Sequence, residues 1–275
     1  MAIALSLLSA LAYGISDFLG GIFAKRATPW QVAVVGQSSS AVCAVAATSV
    51  LGWHASGDAV ASAAIAGLGG GVGCVFLYRG LSTARMAVVA PLSAVGAALL
   101  PVAIGLGFGE RPTLLAVLGI VAAFPAIAMI SRVEDDDPSH RGGVVDGVMA
   151  GLGFGVLFVF LGRAGDDAGL APLAVSQLTS VVAIVAIATV LRAEWIPRDR
   201  FAWRAAVMGP LGASAQGAFL YATHHGLLSI VSVITSLYPA ATVLLAAVVL
   251  RERILRLQAV GLALAAIAVT LVASG

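Results

Sequence analysis

Apolar residues fill this chain in runs of about twenty, the length a helix needs to cross a hydrocarbon core about 30 Å thick. Charged residues or Pro/Gly-bearing turns break the runs, leaving apolar stretches near 3–24, 30–51, 59–78, 86–107, 113–131, 143–162, 171–191, 202–223, 228–250 and 255–273. The pattern predicts an all-α integral membrane protein with ten transmembrane helices. The longest polar stretch, RVEDDDPSHRGG from Arg132 to Gly143, reads as a solvated linker.

The runs are written twice. Ala12-Tyr13-Gly14 matches Gly153-Phe154-Gly155 at an offset of 141, and the segment from Val35 to Ser40, containing Gln37, matches Val175 to Ser180, containing Gln177, at 140. Phe76-Leu77-Tyr78 matches Phe219-Leu220-Tyr221 at 143, and Glu110-Arg111 with Gly119 matches Glu252-Arg253 with Gly261 at 142. Four matches in chain order indicate one five-helix unit used twice, residues 1–131 and 143–275, joined by the linker 132–142. An odd number of spans sends the second copy into the membrane from the opposite side, so the repeat is expected to be inverted. Thirteen of the fifteen Lys and Arg residues fall in loops after odd-numbered spans, and only Arg111 and Arg163 fall elsewhere. The positive-inside rule then puts the odd loops in the cytoplasm and both termini outside.

Composition narrows the function classes. Sixty per cent of residues are hydrophobic and ten per cent charged, with a mean hydropathy of +1.05, which leaves no expected soluble domain. The net charge of +2 comes from scattered Arg with no basic run to follow a phosphate backbone, so nucleic acid is not an expected partner. Cys43 and Cys74 sit in apolar runs and receive no role. The first run lacks the basic start of a signal peptide and is read as a retained span. One Lys against fourteen Arg, with abundant Ala, points to a GC-rich coding bias and so to a bacterial plasma membrane.

These features resemble the drug/metabolite transporter superfamily, specifically its EamA-like branch, over essentially the whole chain. The resemblance rests on the five-plus-five layout, the Ala-x-Gly motif of Ala12-Tyr13-Gly14 with its partner Gly153-Phe154-Gly155, the Glu-Arg-x7-Gly signature, and Pro239 inside the ninth span. In the first half, Ala97 stands where Pro239 would fall, with Pro91 and Pro101 displaced to either side. The resemblance implies outward transport of small metabolites, amino acids or drugs. It also implies a cavity lined by spans 3, 4, 8 and 9 with the first span of each half, which puts Tyr13 and Phe154 on the pathway. No cofactor is expected.

Asp17 is the one acid well inside a predicted span, and an ionisable group at that depth is a functional hypothesis by default. It would couple protons or hold a substrate ammonium. Alternatively it would pair with Arg79 or Arg85, or satisfy the backbone of a bent helix. His224 and His225 are further proton-coupling candidates, because imidazole is the side chain suited to exchange protons near neutral pH, or else occupy a solvated turn. Neither has a third ligand in register, so no metal site is expected. Ser229, Ser232, Thr235, Ser236 and Tyr238 recur at steps of three and four before Pro239, forming a stripe that would line a path or hydrogen-bond between helices. The paired Tyr78 and Tyr221, the paired Gln37 and Gln177, and Gln216 complete the candidate pathway.

The glycine run Gly67 to Gly73 lacks the Lys-Ser/Thr of a phosphate loop and predicts close helix packing instead, as does Gly151-x3-Gly155. Glu110 and Glu252 stand just before the last span of each half, where a carboxylate suits the start of the helix that follows. The expected function is secondary active transport of a small solute by alternating access. An intramembrane enzyme built on His224, His225 and Ser229 and a non-transporting membrane scaffold are the alternatives.

Overall fold

The protein is described by a computed structural model over residues 1–52, 56–83, 86–130, 142–165, 168–251 and 253–275. The expected linker therefore lies, but for its last residue, outside the described residues, as do Arg85 and Glu252. Helices occupy the apolar stretches: α1 Ala2–Ala24, α2 Pro29–Leu51, α3 Gly57–Thr83, α4 Met86–Gly107, α5 Leu114–Ile130, α6 Gly142–Gly162 and α7 Ala171–Val190. They continue with a short α8 (Arg200–Trp203), a 3-10 turn (Arg204–Val207), α9 (Met208–Thr223), α10 (Leu228–Thr235), α11 (Tyr238–Val249) and α12 (Arg256–Ser274). Seven helical stretches, counting α10 and α11 as one, are long and apolar enough to cross a membrane. Two more, Leu92–Gly107 and Leu114–Ile130, are apolar but shorter. No strand occurs among the described residues.

Local chemistry sets the ends of these helices. Thr28 caps α2 by accepting from the Gln31 amide at 3.2 Å, with Pro29 at the first helical position. Thr113, with Pro112 before it, does the same for α5 through the Ala116 amide. At the other end, Gly52 and Gly109 take positive φ after α2 and α4, while Arg192 and Arg251 take positive φ after α7 and α11. That backbone turns the chain out of a helix and is costly for a residue with a Cβ.

Large apolar side chains such as Leu99, Val121, Val182 and Ile267 lie more than half exposed on the outer faces, an arrangement suited to lipid rather than water. In lipid, apolar burial no longer drives helix to helix, and association rests on close packing of backbones. The glycines supply it. On α3, Gly67 and Gly71 face Ser176, Ser180 and Ala183 of α7, while Gly69 and Gly73 face Gly153, Phe154 and Val156 of α6. One helix thus carries two glycine seams, each for a different neighbour. Gly151 and Gly155 of α6 turn to Gly96 and Leu100 of α4, and Gly119 and Gly261 pack reciprocally across the α5–α12 pair. The broadest contacts accordingly join α3 to α6 and α7, α4 to α6, α5 to α12 and α1 to α9.

The ninth apolar run is broken. Ser236 and Leu237 form a turn between α10 and α11, at which the backbone changes to three-residue bonds, Leu237 to Ile234 at 3.1 Å and Ala240 to Leu237 at 2.9 Å. Pro239, which has no amide hydrogen, stands in the first turn of α11. In α4, by contrast, Pro91 and Pro101 fall within a single continuous helix.

A Cβ built at Gly153 would sit 2.5 Å from the Gly73 amide nitrogen and 2.7 Å from the Gly69 carbonyl, both backbone atoms that cannot yield. Gly153→Leu is expected to destabilise the α3–α6 pair by about 1–3 kcal/mol or more. Gly107→Ala, where nothing lies within 4 Å, should change stability by no more than about 0.5 kcal/mol. Thermal unfolding of the two variants in detergent, followed by loss of monodisperse protein, checks the contrast.

Candidate functional site

A cavity with about 640 Å³ of space between atoms, its mouth included, lies among α1, α2, α3, α6, α7, α9 and the start of α11. Helical spacing gives each wall. Tyr13, Ser16 and Asp17 share one face of α1; Gly70, Cys74, Leu77 and Tyr78 share one face of α3. From α6 come Phe154, Leu157 and Phe158, from α7 Gln177 and Ser180, and from α9 Gly212 and Gln216. Gln37 of α2 and Tyr238 of α11 complete the lining. Gly20 on α1 makes room for the Tyr78 ring, because a Cβ there would fall 2.8 Å from it.

Glutamines knit the wall together. Gln37 Nε2 donates to Gln177 Oε1, and Gln177 Nε2 donates to Ser40 Oγ at 2.8 Å, so one fully buried amide uses both its ends. Ser176 Oγ lies 3.2 Å from Gln216 Oε1, tying α7 to α9. Ser9 Oγ donates to the Ala215 carbonyl at 2.8 Å, tying α1 to α9. At the helix break, Tyr238 and Ser93 hydroxyls meet at 3.2 Å, and Thr242 Oγ1 donates to the Gly14 carbonyl at 3.1 Å. The Tyr13 ring lies 6.2 Å from Phe158 and 6.5 Å from Tyr238, and Phe158 stacks on Phe219 at 4.4 Å.

Asp17 is the sole carboxylate on this surface, and no Lys, Arg or His lines it among the described residues. The pairing with Arg79 does not form. Arg79 Nε instead donates to Asp146 Oδ1 at 2.9 Å, joining the end of α3 to the start of α6. Arg85 lies outside the described residues.

Other candidates sit apart from the cavity. Tyr221 is 43% exposed on α9, although Tyr78, with which the sequence matches pair it, is buried in the lining. His224 and His225 lie at the turn between α9 and α10, where His225 is exposed and its Nδ1 donates to the Tyr221 carbonyl at 2.8 Å. Ser229, Ser232, Thr235 and Ser236 are fully buried along α10 and its end, but not on the cavity surface, and their hydroxyls have no hydrogen-bond partner among the described residues. Among the described residues, Tyr238 is the member of that stripe whose hydroxyl bonds to another helix, through Ser93 of α4. Of the three kink prolines, Pro239 adjoins the helix break and follows the cavity residue Tyr238; Pro101 is buried in α4, and the Pro91 side chain lies outside the described residues. Conversely, Ser16, Ser180 and Cys74 line the cavity. Sequence gave no reason to single them out, since Ser and Cys are common in apolar helices, but Ser16 lies one turn from Tyr13 and beside Asp17, and Ser180 lies one turn from Gln177. No group of three His, Cys, Asp or Glu residues able to hold a metal ion occurs among the described residues.

The model of the EamA-like transporter family matches residues 141–274. Over those residues, the second half of the chain is similar to the EamA-like transporter family. A protein of solved crystal structure is similar to 98% of this chain and 95% of its own, with a TM-score of 0.77 at 16% identity, and so shows the fold alone. No curated protein matches the chain by sequence. The match and the apolar helices together point to a multi-pass membrane protein similar to a transporter family.

Glu110 shows how this chain uses the first of its Glu-Arg pairs. Instead of serving α5, which Thr113 caps, the Glu110 carboxylate accepts the Leu228 amide at 2.7 Å and the Ser229 amide at 3.1 Å. It caps α10, whose own N-cap residue, Leu227, offers no side-chain bond.

Gln177→Leu would remove both halves of the amide chain and strand Gln37 and Ser40 in a buried wall. The expected loss is about 1–3 kcal/mol, against less for Gln37→Leu, which leaves the Gln177–Ser40 bond in place. Thermal stability of the two variants in detergent ranks them.

Proposed function

We propose that this chain is a secondary active transporter that exports small metabolites, such as amino acids or related polar or amphipathic solutes, by alternating access. The observation that carries the reading is the Gln37–Gln177 hydrogen bond. Residues at matched positions of the two halves meet each other in the cavity wall, as a pseudo-two-fold axis in the membrane plane would require.

Further observations support ten spans in two inverted five-helix units, residues 1–131 and 143–275. Exchanging the halves turns the α3–α6 contact into α9–α1, α4–α6 into α10/α11–α1, and α3–α7 into α9–α2, all of which are made. The α2–α7 and α5–α12 contacts map onto themselves. Even the helix stops correspond: Gly52 with Arg192 and Gly109 with Arg251 share positive φ at offsets of 140 and 142. Unlike its counterpart α4, the broken helix α10–α11 gives one wall a jointed element beside the cavity, a recurring device in transporters.

No nucleotide-binding motif is present in the sequence, so the energy source in this reading is an ion or solute gradient. Asp17 is the proposed proton carrier; His224 and His225, at the turn outside the cavity, are secondary candidates. The membrane is the bacterial inner membrane, with the termini outside.

Proteoliposomes containing the purified chain are expected to move solutes from a mixed pool of small metabolites, amino acids and organic amines included, when a pH gradient is imposed. Asp17→Asn should remove the dependence on that gradient, and His225→Gln should keep it. A complete absence of flux from the pool would overturn the transport reading, and an unchanged pH response in Asp17→Asn would overturn coupling through Asp17. Reporter tags at the two ends should both read outside the cytoplasm.

A further inference from the structure

We propose that the cavity selects solutes of net positive charge, specifically small organic ammonium ions, over zwitterionic amino acids and anions. The inference rests on the transport reading and narrows its substrate class.

Charge is the first argument. The lining holds one carboxylate, Asp17, and no cationic side chain among the described residues, while Arg79 is committed to Asp146. A carboxylate in a low-dielectric site favours a mobile cation strongly, because nothing else there offsets its charge. An anion entering the same space meets only repulsion. A zwitterion can bring its ammonium to Asp17, but its own carboxylate then finds no positive group.

Shape and surface chemistry give the second argument. Five rings, those of Tyr13, Tyr78, Phe154, Phe158 and Tyr238, line the cavity with Asp17. They come from α1, α3, α6 and α11, so ring surface lies on several walls and not in one stack. Aromatic faces attract alkylated ammonium ions while tolerating their methyl groups, and an inorganic ion would need several oxygen ligands in their place. Ser180 Oγ, buried on the same lining with no partner among the described residues, offers one hydrogen bond to a polar substituent of the solute.

The test uses the full chain in lipid nanodiscs and radiolabelled tetramethylammonium as probe. Saturable binding is expected, with affinity falling at least about tenfold in Asp17→Asn and largely kept in Asp17→Glu. Phe158→Leu should weaken binding while leaving the carboxylate in place. Unlabelled tetraethylammonium should compete, whereas tert-butanol, glutamate and sodium at equal concentration should not. Size-exclusion elution unchanged from the parent chain shows that the variants are folded, and the Asp17→Glu result guards against a purely structural effect. Absence of binding, equal affinity in Asp17→Asn, or equal competition by tert-butanol or sodium would overturn the proposal. Metabolite flux in proteoliposomes without tetramethylammonium binding would sink cation selectivity and leave the transport reading standing. Binding that depends on Asp17 without flux of any solute would support the cation site and sink the transport reading.

Discussion

Everything in this molecule depends on backbones approaching closely where lipid provides no hydrophobic pressure to bring them together. Gly153 of α6 lies against the Gly69 carbonyl and the Gly73 amide of α3, and Gly67 and Gly71 bring the far side of the same helix against α7. Because α3 is held on both sides, its cavity face, Gly70 to Tyr78, has a fixed rotation. Were the seams filled by larger residues, α3 would have to move away from α6 or α7, and the cavity wall would open. Packing density here thus sets the site geometry as well as stability.

Polar side chains are sparing and placed where that packing leaves room. The Gln37–Gln177–Ser40 chain satisfies its own buried amides, so it fixes α2 against α7 without leaving a cost of burial. The hydroxyls of Ser232, Thr235 and Ser236, without a partner among the described residues, do the opposite. They sit where α10 ends and the chain turns toward α11, and a helix end with uncommitted polar groups is free to exchange partners when neighbouring helices shift.

Hydropathy placed most of the helices to within a few residues, because runs of apolar side chains admit no other satisfied backbone in lipid. The eighth run, read as one span over 202–223, divides instead into α8, a 3-10 turn and α9. The short internal matches made the paired positions of Gln37 and Gln177 readable, and polar or ionisable character inside an apolar run singled out Tyr13, Asp17, Tyr78, Gln216 and Tyr238. Rotation was not readable. A helix that is apolar all round gives no moment to show which face a serine takes, so Ser232 and Thr235 could not be told from Ser16 and Ser180, nor Tyr221 from Tyr78. Glu110 misled for a related reason: its neighbours in sequence pointed to α5, whereas its neighbours in space are the amides of α10. The break at Ser236 and Leu237 was legible only as a proline nearby, with no sign that α4 would stay whole.

That last difference has a mechanical consequence. A continuous α4 acts as a strut that transmits displacement along its whole length, whereas α10 and α11, joined by two residues, can tilt independently. With the N-terminal end of α10 anchored to Glu110, the compliant part of that wall is α11, and Tyr238 sits at its pivot. The continuous helix then serves as the frame and the jointed one as the compliant element.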